Sequence, residues 1–314
     1  MSCKKTSIGG QALIEGIMMK GPERTVMAVR MKDGSIDVSE MNVKSIKDRS
    51  AFFRLPIVRG VVNFVESMIV GYKAMMESAD KSGYLDEIEE DGKSEKKDNS
   101  KLMTGIMIVA TVLAVILCIG LFIYLPSLAF KGINYLIGGV LSPVQAVFEG
   151  IFRIAIFLCY MIAVSAMKDI KRVFSFHGAE HKTIFCYEAG EELTVENVRR
   201  QKRFHPRCGT SFMILILIVS IFLTLILDAI LPWLRGVLWL RTIIKLCLIP
   251  LTCGLGYELI KICGRHDNIF TRIVAAPGLW IQRITVKEPD DSMIEVAIAA
   301  MNEVIPENNE SDCW

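Results

Sequence analysis

The chain has 314 residues, with 36 Lys+Arg against 34 Asp+Glu and a mean hydropathy of +0.41, which excludes a disordered chain and is too apolar for an ordinary soluble domain. At 52% hydrophobic and 22% charged, the apolar residues must be concentrated in runs of about 18 or more, the length that crosses a bilayer as a helix. A net charge of +2 makes no case for a nucleic-acid partner, which would require a one-sided basic surface.

Residues 1–79 read as a small cytoplasmic α+β domain. Residues 25–30 and 35–43 alternate apolar with polar around Asp33-Gly34, a hairpin signal. They follow a short apolar run, 12–19, that contains Glu15 and ends before Pro22. After Pro56, residues 57–76 have helical apolar spacing and predict an amphipathic helix, packed on the hairpin or lying on the membrane surface. Residues 80–101 mix acids, lysines, glycine and serine and read as a charged linker. Lys4 and Lys5 are not followed by an apolar core and cleavage site, so the first membrane span is expected to do the targeting.

Residues 102–263 are expected to hold four transmembrane helices, at 103–125, 147–167, 212–231 and 243–262. The predicted fold is therefore mostly α and polytopic. The segment 168–211 carries Lys168, Lys171, Arg172, Lys182, Arg199, Arg200, Lys202, Arg203 and Arg207, whereas the other two connections hold little beyond Lys131 and Arg235. The positive-inside rule then places that segment and both termini in the cytoplasm. Residues 264–314 form a C-terminal cytoplasmic or interfacial segment. Trp280 suits a membrane interface, and an amphipathic helix after Pro289 carries Met293, Ile294, Ala297, Ile298 and Met301 on one face. Of the nine cysteines, Cys118, Cys159, Cys247 and Cys253 lie in apolar stretches, which argues against a disulfide framework.

The chemistry concentrates in 168–211. On a helix His177 and His181 are i and i+4, so both imidazoles project from one face. His205 and Cys208 follow just before the third span, where a turn brings a nitrogen and a sulfur donor together. These four donors suit a divalent metal, zinc foremost. Basic residues at a membrane interface, with Cys208 packing on the third span, are the bland alternative. Glu180 stands where the glutamate of His-x-x-Glu-His proteases serves as general base. Four protein ligands would close the shell and make the site structural, whereas a catalytic site needs one position free.

Two further carboxylates are candidates to orient or complete the site. Glu258, near the cytoplasmic end of the fourth span, is either functional or an i, i+3 partner of Lys261. Glu15 either turns into the site or lies on a wet face of its short element. Glu149 and Arg153, i and i+4 in the second span, read as a structural pair. Arg199, Arg200, Lys202 and Arg203 are expected near headgroups, where they could bind an anionic lipid or a substrate phosphate.

Four blocks together resemble the YqhQ-like bacterial membrane proteins, the family of domain of unknown function 1385. They are Gly9-Gly10-Gln11-Ala12-Leu13-Ile14-Glu15-Gly16, His177-Gly178-Ala179-Glu180-His181-Lys182, His205-Pro206-Arg207-Cys208-Gly209-Thr210-Ser211-Phe212, and Ala276-Pro277-Gly278-Leu279-Trp280 with Glu288-Pro289-Asp290-Asp291. The resemblance implies a multi-pass protein of the bacterial plasma membrane, described as a metal-dependent enzyme without an established substrate.

Two functions follow as expectations. The first is a metal-dependent hydrolase acting at the cytoplasmic interface on a lipid-linked or membrane-adjacent substrate. The second is a scaffold or transporter with a structural zinc site, in which a homo-oligomer would have to build any path. The expected partners are the bilayer and anionic head groups, not nucleic acid.

Overall fold

The computed structural model describes residues 5–42, 50–84, 100–266 and 268–306. Strands β1 (Gly9–Leu13), β2 (Gly16–Lys20), β3 (Thr25–Arg30) and β4 (Ile36–Glu40) form an antiparallel meander in sequence order. The apolar run expected at 12–19 is not one element. It turns at Ile14-Glu15, where Glu15 takes φ 51° and its carbonyl accepts from the Arg30 amide at 2.8 Å. The β3–β4 hairpin turns at Asp33-Gly34, with Gly34 at φ 85°, and pairs Arg30 with Ile36. Its second strand ends at Glu40, and Val43 lies outside the described residues.

The central strands are buried on both faces. Ile17, Met19, Val26 and Ala28 point to one layer, and Met18, Met27 and Val29 to the other. The first layer is closed by helices α5 (Lys168–Glu188) and α11 (Asp291–Val304). The second is closed by Ala74 of α1 (Val58–Lys81). Helix α11 begins at Asp290, whose carboxylate accepts from the Met293 amide at 3.0 Å, the expected use of an aspartate at a helix N-cap. It buries Met293, Ile294, Ala297 and Met301, while Ile298 stays only partly covered.

Helix α1 runs five residues beyond its expected end, so the expected linker starts later. Lys81 pairs with Asp37 at 2.7 Å, and residues 85–99 of the linker lie outside the described residues. The remaining helices are α2 (Ser100–Ile119), α3 (Leu125–Leu136), α4 (Gln145–Ser165), α6 (Val195–Arg200), α7 (Gly209–Ile230), α8 (Leu238–Cys247), α9 (Ile249–Arg265) and α10 (Ile269–Thr285).

Among the described residues three helical stretches, Ile108–Leu136, Ser142–Ser165 and Gly209–Ile230, are long and apolar enough to cross a membrane. The first joins α2 to α3 through a π-helical stretch, Gly120–Tyr124, and continues past the expected end at 125 through Pro126, which has no N–H for the helical ladder; the Phe122 carbonyl four residues before it accepts from Arg153 at 2.8 Å. The expected fourth span is not straight. Helices α8 and α9 meet at a 44° bend next to Pro250, and they make a fourth span only if the bent pair is counted as one.

Candidate metal centre

Helix α5 carries His177 and His181 one turn apart, with ring centroids 4.4 Å apart. Cys208 reaches them from the N-cap of α7, to which the turn 201–208 returns the chain. One donor atom from each of His177, His181 and Cys208 lies within 4.8 Å of the other two. The contact between His177 Nε2 and Cys208 Sγ is 3.1 Å.

Two backbone carbonyls fix which nitrogen each histidine offers. His177 Nδ1 meets the Thr285 carbonyl at 3.1 Å, and His181 Nδ1 meets the Arg203 carbonyl at 2.6 Å. A carbonyl only accepts, so each Nδ1 carries the proton and each Nε2 keeps its lone pair for a metal. Thr285 is the last residue of α10, and its carbonyl has no partner within that helix. Close packing sets the spacing here, because a Cβ on Gly178 would sit 2.0 Å from the Lys287 carbonyl oxygen.

Gln282 holds the other half of the site. It is fully buried, accepts from the His205 amide at 2.8 Å, and donates to the His205 carbonyl at 2.6 Å and to Ser211 Oγ at 3.0 Å. Sequence reasoning missed Gln282, although an amide side chain at an apolar-face position of α10 was a usable signal.

Electrostatics prepare the donors. Burial alone would push the Cys208 thiol up, but neighbouring His181 and the Thr210 hydroxyl and amide hold it below the ordinary thiol value. Burial, with His177 nearby, lowers His181 and keeps its imidazole neutral. Burial pushes the Glu180 carboxyl up to about 7, against the opposing effects of His177 and the Gly10 amide. Glu180 Oε1 accepts from Gly10 N at 3.1 Å, while Oε2 is buried without a hydrogen-bond partner. An orphaned carboxylate oxygen beside two imidazole lone pairs and a depressed thiol fits a divalent cation and its water.

The other residues expected at the site are placed elsewhere. His205 is buried, but it is not in the converging set. Its Nδ1 accepts from the Arg207 amide at 3.2 Å, and its Nε2 lies 3.8 Å from Glu188. Glu188 also takes the Arg207 guanidinium and accepts from the Thr6 amide at 2.9 Å. Glu15 pairs through both oxygens with Arg172 of α5. Glu258 pairs with Arg59 of α1, 2.7 Å from Nε, instead of Lys261. Helix α1 crosses α9 closely enough to allow this, since a Cβ on Gly254 would come 2.3 Å from Ile57 Cγ2.

Glu149 and Arg153 do not form the expected pair either. Glu149 is held by Arg241 and by Lys245, at 2.6 Å from the latter, while Arg153 donates to the Phe122 carbonyl at 2.8 Å and to Ser220 at 3.0 Å. Three of the basic residues assigned to headgroups have protein partners: Arg199 with Asp291, Arg200 with Glu196 and Arg203 with Glu288.

The sequence profile described as "Protein of unknown function (DUF1385)" matches residues 55–307. The chain belongs to this family. It is also 34% identical over 300 residues to "Uncharacterized protein YqhQ" of Bacillus subtilis (strain 168), covering 95% of this chain and 92% of that one. No solved structure matches it. The family match covers the histidine pair, the turn 201–208 with Arg203 and Cys208, and α10 with Gln282 and Thr285. The Gly10 strand lies before the matched residues.

Proposed function

We propose that the protein is a metal-dependent membrane hydrolase, with His177, His181 and Cys208 holding a divalent ion, zinc foremost, and Glu180 acting as general base. The observation that carries this reading is the convergence of three donor atoms within 4.8 Å beside a buried carboxylate with one unpartnered oxygen. Three protein ligands with a fourth position open is the catalytic form of a zinc site. His205, the fourth donor expected from the sequence, is taken up by Arg207 and Glu188, which speaks against a closed structural shell and a pure scaffold.

Bound there, a divalent ion supplies Lewis acidity and acidifies water. The chain's own contribution is proton handling and positioning. Glu180 takes a proton at Oε2 and returns it, while the Gly10 amide holds Oε1 in place. The Thr285 and Arg203 carbonyls keep both imidazoles in one tautomer and orientation.

The substrate class follows from location. Cys208 caps α7, one of the membrane-length helices, so the site lies at the end of an apolar bundle. Helix α1 beside it exposes Val65, Met68, Ile69 and Tyr72, a face suited to the membrane surface. A lipid-linked or membrane-adjacent substrate meets such a site. The basic residues of segment 168–211 support a cytoplasmic side of a bacterial plasma membrane for the site and, with the bent α8–α9 pair counted as a fourth span, for both termini.

The test is elemental analysis of detergent-purified wild type, His181→Ala and Glu180→Gln, followed by hydrolysis assays on lipid-linked esters and phosphoesters. Wild type should carry about one metal per chain, His181→Ala should lose it, and Glu180→Gln should keep it while losing hydrolysis. Folded wild type that takes up no zinc would sink the proposal. Glu180→Gln that loses metal would make Glu180 a fourth ligand and the site structural.

A further inference from the structure

The end of the helical bundle remote from the histidines holds a second cluster that the hydrolase reading does not use. Within residues 105–165 and 209–250 the sequence has five basic side chains, Lys131, Arg153, Arg235, Arg241 and Lys245, but only two acidic ones, Glu149 and Asp228. Asp228 lies 20 residues along α7 from Cys208, about 30 Å at the α-helical rise. Arg153, Arg241 and Lys245 are buried, as are both carboxylates. Glu149 is shared between Arg241 and Lys245, and both oxygens of Asp228 accept from Arg241, at 3.2 and 2.8 Å. The two carboxylates are thus shared among three of the cations, since Asp228 also lies 3.6 Å from Arg235. Buried charge in a low-dielectric setting is retained when it is paired, and this cluster is short of anions.

A cavity of about 590 Å³ opens beside it, lined in part by Lys131, Asn134, Ser142, Gln145 and Arg235. Most of its polar lining is committed within the protein. Asn134 donates to Ser142 at 3.1 Å and accepts from the Leu141 amide at 3.0 Å, and Gln145 donates to Glu149 at 2.8 Å. The two lining cations are less fully engaged. Lys131 is exposed and has no hydrogen-bond or ion-pair partner among the described residues. Arg235 donates to the Ser142 and Asp228 carbonyls at 3.4 and 3.2 Å, while its Nε has no hydrogen-bond partner and lies 3.6 Å from the Asp228 carboxylate. Gln145 and Arg235 therefore line the cavity while contacting the two carboxylates of the network, so an anion in the cavity would meet the unpartnered Lys131 ammonium and the partly engaged Arg235 guanidinium, with the excess positive charge close behind.

We infer that this cavity binds a phosphate-class anion, with Lys131 and Arg235 as its direct ligands and the Glu149–Arg241–Lys245–Asp228 network as their support. The phosphate belongs either to a phospholipid head group or to a free anion, since both present the same oxygens to a guanidinium and an ammonium. The inference does not depend on the metal centre or on hydrolysis.

The test uses the full chain in a maltoside detergent, which carries no phosphate. Thermal unfolding is followed with added inorganic phosphate, with phosphatidylglycerol in mixed micelles, and with chloride and diacylglycerol as controls at matched ionic strength and lipid content. Wild type should be stabilised by one of the phosphate sources and not by the controls. A response to inorganic phosphate assigns a free anion, and a response confined to phosphatidylglycerol assigns a lipid. Lys131→Gln removes a partnerless exposed side chain, so it should fold normally and bind at least about tenfold more weakly, the worth of one hydrogen bond to a charged group. Arg235→Gln should weaken binding in the same direction. Equal stabilisation by phosphate and chloride, no stabilisation by either phosphate source, or a wild-type response from Lys131→Gln would each overturn the inference.

Discussion

Replacing Gln282 by Met tests how the turn carrying Cys208 is positioned. Met has a similar volume and length, so α10 keeps its packing while three hydrogen bonds disappear: two to the His205 backbone and one to Ser211. Gln282 and His205 are both buried, so the His205 N–H and C=O are left without partners and without ready access to water. At about 1–3 kcal/mol for each unsatisfied buried group, partly relieved by relaxation, the loss of stability should be about 2–4 kcal/mol. Ser211 can rotate to another acceptor and adds little. The same change loosens the turn three residues before the Cys208 sulfur, and zinc affinity should fall about 10–100-fold, as for other supporting contacts around metal ligands.

Ser211→Ala is the matched control for this variant. It removes only the third bond and leaves both His205 groups satisfied, so it should cost about 0.5–1.5 kcal/mol and leave zinc affinity unchanged. Chemical denaturation in detergent reads the first quantity, and zinc titration against a competing chelator reads the second. If Gln282→Met loses less than about 1 kcal/mol and binds zinc within about twofold of wild type, Gln282 does not position the turn.

Two further perturbations follow from the same geometry. Gly178→Ala puts a Cβ 2.0 Å from the Lys287 carbonyl oxygen, so overpacking of about 1–3 kcal/mol or more should outweigh the ~1 kcal/mol that alanine gains in a helix; a thermal midpoint at or above wild type would refute the close contact. Burial would raise the Glu188 carboxyl, but His205, Arg207 and the Thr6 amide hold it below the usual range. Because its folded value is depressed, its stabilisation is present above the unfolded value of about 4.3 and is lost as pH falls through that value and then the folded one. The difference in thermal midpoint between wild type and Glu188→Gln should therefore be full at pH 6 to 7 and shrink toward about pH 3, and a gap that stays constant with pH would refute the assignment.

How much of this was legible in the sequence depends on how far away each partner lies. His177 and His181 were readable as a pair because the helical period alone puts four-apart residues on one face. The Asp33-Gly34 hairpin and the Asp290 cap were readable for the same reason, since each turns on a local backbone requirement that only certain residues meet. His205 was legible as a donor but not as a bystander. It lies in the non-helical turn 201–208, where no period fixes ring direction, and the backbone bonds that orient it come from Gln282, 77 positions away.

The paired carboxylates show the same division between local and distant partners. Glu258 beside Lys261 and Glu149 beside Arg153 both look like local helical pairs, yet their partners in the fold are Arg59 and the cations of α8. An i, i+4 pair between ions is worth only about 0.3–0.5 kcal/mol, too little to hold a carboxylate when tertiary packing brings a guanidinium within bidentate reach. Spacing along the chain therefore identifies which residue types can do chemistry, and long-range packing decides which of them meet. Glu180 joins the two cases: its place between the histidines marks it as a candidate base, but its orphaned oxygen and raised pKa exist only because β1 closes over α5 and shuts out water.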